Sequence, residues 1–149
     1  MPRVAQFGIA LGALGIVLTL MGLFPGVTGM EPTLGIGITQ ISAILIGFLL
    51  LITGALIYVK FTFYVQKPAN LAQQIGVRLA MTGLLFAAMS GFADILGFGS
   101  HERVPGNDIF LGNWQAIGII GSFVVAAIGV VIYAVAGDLN ADDKPSPQV

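Results

Sequence analysis

Residues 34–58, LGIGITQISAILIGFLLLITGALIY, run for 25 positions without a charged side chain. A helix rises about 1.5 Å per residue, so this stretch reaches ~37 Å, and the hydrocarbon core of a bilayer is ~30 Å thick. In hydrocarbon no water can satisfy backbone N–H and C=O groups, so a span satisfies them within itself as a helix, or within a closed barrel. Barrel strands are about ten residues long and alternate in polarity. This stretch does neither and reads as a transmembrane helix, with Phe61, Phe63 and Tyr64 able to prolong it into the interface.

Working outward, three further runs have the same character: Val4 to Phe24, Leu79 to Phe98 and Ile109 to Val135, none with a lysine or arginine. The whole chain of 149 residues is 56% hydrophobic and 9% charged, with a mean hydropathy of +0.96. Soluble domains carry about 25% charged residues, so this composition cannot clothe an ordinary water-facing surface. The fold class expected is an all-α integral membrane protein, a four-transmembrane-helix bundle spanning residues 1–136. Arg3 before the first run also resembles the start of a secretory signal peptide. The run is long for one, and no small-x-small cleavage site follows it before Pro25.

Positive charge sets orientation. Arg3 precedes the first helix; Lys60, Lys67 and Arg78 fall in the connection between the second and third; Lys144 follows the fourth. Arg103 alone lies on the other side. Both termini and the middle loop are therefore expected in the cytoplasm, in a prokaryotic plasma membrane. Tyr58 and Tyr133 fall near the inner boundary and Trp114 near the outer one, where aromatic anchors belong. Residues 137–149, with Asp138, Asp142, Asp143, Pro145 and Pro147, read as a disordered acidic cytoplasmic tail. Pro68 separates the second and third helices, and Asn70 is a candidate N-cap.

The chain resembles itself at a shift of 75 residues. Arg3 meets Arg78, Ala5 meets Ala80, Gly8 meets Gly83, and Gly22 meets Gly97. Between Gly37 and Tyr58 seven of 22 positions repeat, among them Gly37/Gly112, Gln40/Gln115, Phe48/Phe123, Gly54/Gly129 and Tyr58/Tyr133. Composition alone would give roughly two. Thr33 and Asp108 align as N-cap candidates. The reading is a duplicated hairpin, repeat 1 over 3–66 and repeat 2 over 78–136. A two-helix unit returns the chain to its starting side, so the tandem hairpins share one orientation about a pseudo-twofold axis along the membrane normal.

Lipid tails are as apolar as leucine, so close approach at small residues drives helix association. Gly8, Gly12, Gly15, Thr19 and Gly22 line one face of the first helix at spacings of four and three. Gly83 and Ala87 on the third helix, with Gly118 and Ser122 on the fourth, continue the pattern, and these stripes are expected in the bundle interior.

Asp94 is the acidic residue inside an apolar run, and an intramembrane carboxylate is a functional-site hypothesis by default. Thr19, Gln40 and Gln115 are expected at similar depth, so the four would line an outward-facing polar pocket; the bland alternative is hydrogen-bonding glue between helices. His101, Glu102, Arg103, Asp108 and Glu31 sit in the outer loops, but one histidine without helical ligand spacing reads as a solvated loop rather than a metal site. Having no cysteines, the chain cannot build a disulfide, thiolate site or Fe–S cluster alone. One histidine excludes a haem held by two of its own, and a net charge of −1 without a basic cluster points away from nucleic acid. No nucleophile elbow, phosphate loop or zinc motif occurs. The expectation is thus a non-catalytic accessory or structural subunit, without metal or cofactor, whose partners are the bilayer and either other membrane subunits or further copies of itself. The alternative is a small oligomeric transporter or channel using Asp94; a membrane enzyme or redox carrier built on Asp94 and His101 comes third.

Overall fold

A computed structural model of the chain describes residues 2–29, 36–99 and 111–137. Among them there are helices and turns and no strand: α1 (Pro2–Leu23), a 3-10 turn (Pro25–Thr28), α2 (Ile38–Phe63), α3 (Leu71–Gly91), the short α4 (Ala93–Leu96) and α5 (Asn113–Ala136). α1, α2, α3 and α5 are each long and apolar enough to cross a membrane. The protein is an integral membrane protein.

Several boundaries differ from those read in the sequence. α2 and α5 start at Ile38 and Asn113, capped by Gly37 and Gly112, while Thr33, Asp108 and the tail beyond Gly137 lie outside the described residues. Each glycine offers no side-chain cap, so the bond runs the other way. Gln40 Oε1 accepts the Gly37 N–H at 2.9 Å, and Gln115 Oε1 accepts the Gly112 N–H at 2.6 Å. Asn70 is the N-cap of α3, as its residue type suggests, accepting the Gln73 N–H at 2.7 Å. α3 begins at Leu71 rather than Leu79, because Gln73, Gln74 and Arg78 dilute its first two turns and hide them from an apolar count. Arg78 therefore stands seven residues inside α3, about 10 Å from its start, on the exposed surface. Its long side chain leans toward the helix N-terminus, the direction in which it can snorkel. At the other end α3 stops at Gly91; Phe92 leaves helical geometry, and Gly97, at φ 89°, closes α4 in the left-handed region that glycine tolerates.

α1 lies along α2, antiparallel, and the contact is glycine-lined. A Cβ placed on Gly8 would sit 2.9 Å from Gly54 O and 2.8 Å from Tyr58 N; one on Gly15 would sit 2.6 Å from Gly47 O and 2.5 Å from Leu51 N. Gly22 faces Gln40 O in the same way, at 2.9 Å. Contacts seven residues apart on both helices mark the 3.5-residue seam of a left-handed pair. α3 lies along α5 by the same device: Gly76 faces Gly129 O and Tyr133 N at 2.7 and 2.9 Å, and Gly83 faces Ser122 O and Ala126 N, both at 2.6 Å. The contacts on α5 stand 75 positions beyond those on α2, whereas those on α3 stand 68 beyond those on α1. Contact for contact, α3 is thus offset from α1 by one heptad less than α5 is from α2. Small residues recur every seven positions, so a two-turn slip still places small against small.

α2 also touches α3 and α5. Phe48 stacks on Phe123 with centroids 4.1 Å apart, which sets α2 and α5 at a common height. The buried cluster gathers Ile52, Leu56, Val59 and Tyr64 with Ala80, Ala126 and Tyr133. The glycines of α1 thus face α2 and Gly76 and Gly83 of α3 face α5, while Ala80 and Ala126 also join the buried cluster shared with α2.

Candidate functional site

Three of the four side chains expected to share a polar pocket bond to nearby backbone. The Thr19 hydroxyl donates to Gly15 O at 2.8 Å on its own helix and lies where a Gly47 side chain would be. Such back-bonding occupies a hydroxyl that would otherwise face hydrocarbon. Gln40 and Gln115 hold the first turns of α2 and α5. Gln115 is buried, and its Nε2 has no hydrogen-bond partner among the described residues. Asp94 lies past the end of α3, in α4, half-buried, with its carboxylate folded back against the backbone at Gly99.

The contact heights separate these residues further. On α1, Thr19 matches Ala87 of α3 at the 68-residue shift, seven positions short of Asp94. α3 runs four residues, about 6 Å, past Ala87 before it ends at Gly91, and Asp94 lies beyond that end, so Thr19 and Asp94 do not share a height. The expectation that they did came from carrying the 75-residue shift into the first helix of each half.

The glycines and small residues chosen for packing sit as follows. Gly8, Gly15 and Gly22 touch α2 directly, while an added Cβ at Gly12 would have only Leu51 Cδ1 near it, at 4.0 Å. Gly83 faces Ser122 O, Gly118 faces the Ser90 side chain, and Ala87 is buried. His101, Glu102, Arg103, Asp108 and Glu31 lie outside the described residues. Among the described residues, no group of three or more His, Asp or Glu side chains is placed to hold a metal ion.

Two features were not visible in the sequence. The first is a polar clamp at the tyrosine end of the bundle. A helix leaves its last four carbonyls without intrahelical donors. Those of α5 are met from the 64–70 connection and the start of α3: Tyr64 OH donates to Ala134 O, Asn70 Nδ2 to Ala136 O at 2.6 Å, and Gln73 Nε2 to Tyr133 O at 3.3 Å. Tyr64 and Tyr133 meet edge to face at 6.3 Å. These residue types are common near helix ends; what they cap was set by tertiary contact. The second is a lateral groove of about 260 Å³ between α2 and α3, lined by Ser42, Leu45 and Leu49 on one wall and Leu84, Ala88 and Phe92 on the other. Its lining holds no acid, base or amide, so it suits hydrocarbon rather than chemistry.

No protein-family model, curated protein or solved structure matches the chain.

Proposed function

We propose that the chain is a duplicated helical hairpin serving as a non-catalytic structural or accessory subunit within a membrane, with both termini and the 64–70 connection on the cytoplasmic side. The observation that carries the functional half is the local use of its polar side chains. Gln40, Gln115 and Thr19, the groups nearest to a binding constellation, bond to the backbone of their own helices. The surface such a protein presents is helix faces, and its chemistry is helix association.

Duplication is supported by three matched pairs. Gln40 and Gln115 perform the same inverted cap; Gly47 and Ser122 offer the same carbonyl to a glycine opposite; Phe48 and Phe123 stack on each other. The heptad slip of α3 relative to α1 is compatible with a copied hairpin whose first strut moved by one repeat of the seam. The orientation rests on Arg3, Lys60, Lys67, Arg78 and Lys144 against Arg103. Lys60 Nζ reaches Lys67 O at 2.9 Å, which gathers positive charge at the tyrosine end.

The test is Asp94→Asn in the membrane of the native host. A structural subunit keeps its assembly, its copurifying membrane chains and its host's growth. A proton- or ion-coupled transporter loses uptake or conductance on the same change, and that loss refutes the reading.

A further inference from the structure

The two halves of the chain meet through α2 against α5, where Phe48 stacks on Phe123, and through one face of α2 against one face of α3; much of the counterpart of these last two faces is exposed. On α2 the face is formed by Ile41 and Leu45, which lie against Gly91 of α3: a Cβ there would meet Leu45 Cδ1 at 2.7 Å and Ile41 Cγ2 at 3.1 Å. Ser42 and Leu49 continue it along the groove, facing Leu84 and Ala88. Shifted by 75, these positions are Ala116, Ile120, Ile117 and Val124 on α5. There Ile117 is 60% and Ile120 63% exposed, where their counterparts Ser42 and Leu45 are half-buried; Ala116 is half-buried against a buried Ile41, and Val124 is as exposed as its counterpart Leu49. The α3 positions Leu84, Ala88 and Gly91, shifted back by 68, are Ile16, Leu20 and Leu23 on α1, each 49% exposed.

Gly121 marks the same place independently. The four long helices hold twelve glycines, and at eleven an added Cβ would find an atom of another helix within 4 Å. Gly121 is the twelfth: exposed, mid-helix, with nothing within 4 Å. A membrane helix gives up propensity for glycine where a neighbour's backbone comes close. The flanking Ile117, Ile120 and Val124 are β-branched and held near one rotamer in a helix, so packing them sacrifices little entropy.

We propose that this chain assembles head to tail with further copies of itself, the Ile117–Ile120–Gly121–Val124 face of α5 in one copy seating the Ile16–Leu20–Leu23 face of α1 in the next. The occupant is a second copy because both halves of the interface are present and exposed on one chain, and their equivalents already fit each other within it. All copies then share one membrane orientation. A heterologous contact of this kind closes into a ring where its rotation permits. The proposal rests on the duplicated-hairpin reading, whose offsets of 75 and 68 define the equivalent faces.

The chain lacks cysteine, so introduced thiols report cleanly. The counterpart of the Gly91–Leu45 contact is Leu23 against Ile120. Leu23→Cys and Ile120→Cys chains with different tags, coexpressed and oxidised in native membranes, are expected to give a dimer carrying both tags. The double variant is expected to give a ladder or a closed oligomer. Adding Gly121→Leu should reduce the interchain product at least tenfold while helix content and yield persist. Leu45→Cys with Ala88→Cys is the internal control for the contact between the two halves. If that control cross-links within a chain but Leu23→Cys and Ile120→Cys do not join across chains, assembly is refuted and the hairpin arrangement stands. A double variant trapped wholly as cross-linked monomer, or Ile120→Cys pairing with itself alone, also overturns the proposal. If the control itself fails, the relation between the halves falls, and the proposal with it.

Discussion

Gly12 and Gly15 belong to one stripe in the sequence, yet the structure assigns them opposite sensitivities to a single methyl group. At Gly15 an added Cβ would lie 2.5 Å from Leu51 N, 2.6 Å from Gly47 O and 3.0 Å from Leu51 Cα. All three are backbone atoms and cannot rotate away, so α1 must back off as a body. Ordinary contact begins near 3.4 Å, which requires roughly 0.9 Å of separation. A gap of 0.5–1 Å forfeits about a quarter to a half of each dispersion contact along the seam. α1 packs along α2, and no other long helix packs extensively against it to compensate. Overpacking of this kind costs about 1–3 kcal/mol. At Gly12 the added methyl would meet Leu51 Cδ1 at 4.0 Å, an ordinary contact. Both substitutions gain the same helix propensity, up to ~1 kcal/mol, so the difference between Gly15→Ala and Gly12→Ala isolates the steric part. Reversible unfolding in mixed micelles, titrated with SDS and followed by circular dichroism, should place Gly15→Ala about 1–3 kcal/mol below Gly12→Ala. Equal stability of the two variants, or the reverse order, would refute the seam as drawn.

Other substitutions probe separate parts of the molecule. Gln115→Ala removes the acceptor for the Gly112 N–H, and losing a cap costs about 0.5–2 kcal/mol; amide exchange at the start of α5 should speed up while α1 is unaffected. Tyr64→Phe leaves the Ala134 carbonyl short of a donor, worth about 1 kcal/mol, and is expected to hasten exchange and proteolysis at the end of α5 without disturbing α1 and α2. Phe48→Ala empties the stack with Phe123 and should destabilise by ~3–5 kcal/mol, measured in the same micelle titration; a loss below 1 kcal/mol would mean the halves do not meet there.

The number and kind of the long helices were legible because hydrocarbon imposes a length and a polarity on any span, and those constraints are written locally. Residues 34–58 carry them without ambiguity, and the glycine spacing on α1 names the face that α2 covers. The start of α3 was legible from its cap, Asn70, but not from its apolar run, since Gln73, Gln74 and Arg78 belong to first turns that tolerate polar groups. The caps of α2 and α5 were misplaced because a glycine with a glutamine three residues on performs the cap in reverse, and Thr33 and Asp108 have the more familiar side chains. The pocket of Thr19, Gln40, Gln115 and Asp94 depended on a uniform shift of 75. A heptad seam permits slips of seven that leave every small residue facing another, so composition cannot fix the register. The clamp on α5 joins residues some 60 to 70 positions apart and exists only once the chain has folded.

Membrane depth at three positions tests this arrangement most directly. Spin labels at Arg3, Ala10 and Arg78 in lipid vesicles report depth through their relative exposure to oxygen and to a water-soluble relaxant. The contacts equate Ala10 with Arg78 and place both seven residues further along than Arg3, about 10 Å deeper. Labels 10 and 78 at one depth, with label 3 nearer the surface, is the predicted result. Labels 3 and 78 at a common depth, or all three wetted alike, would contradict it.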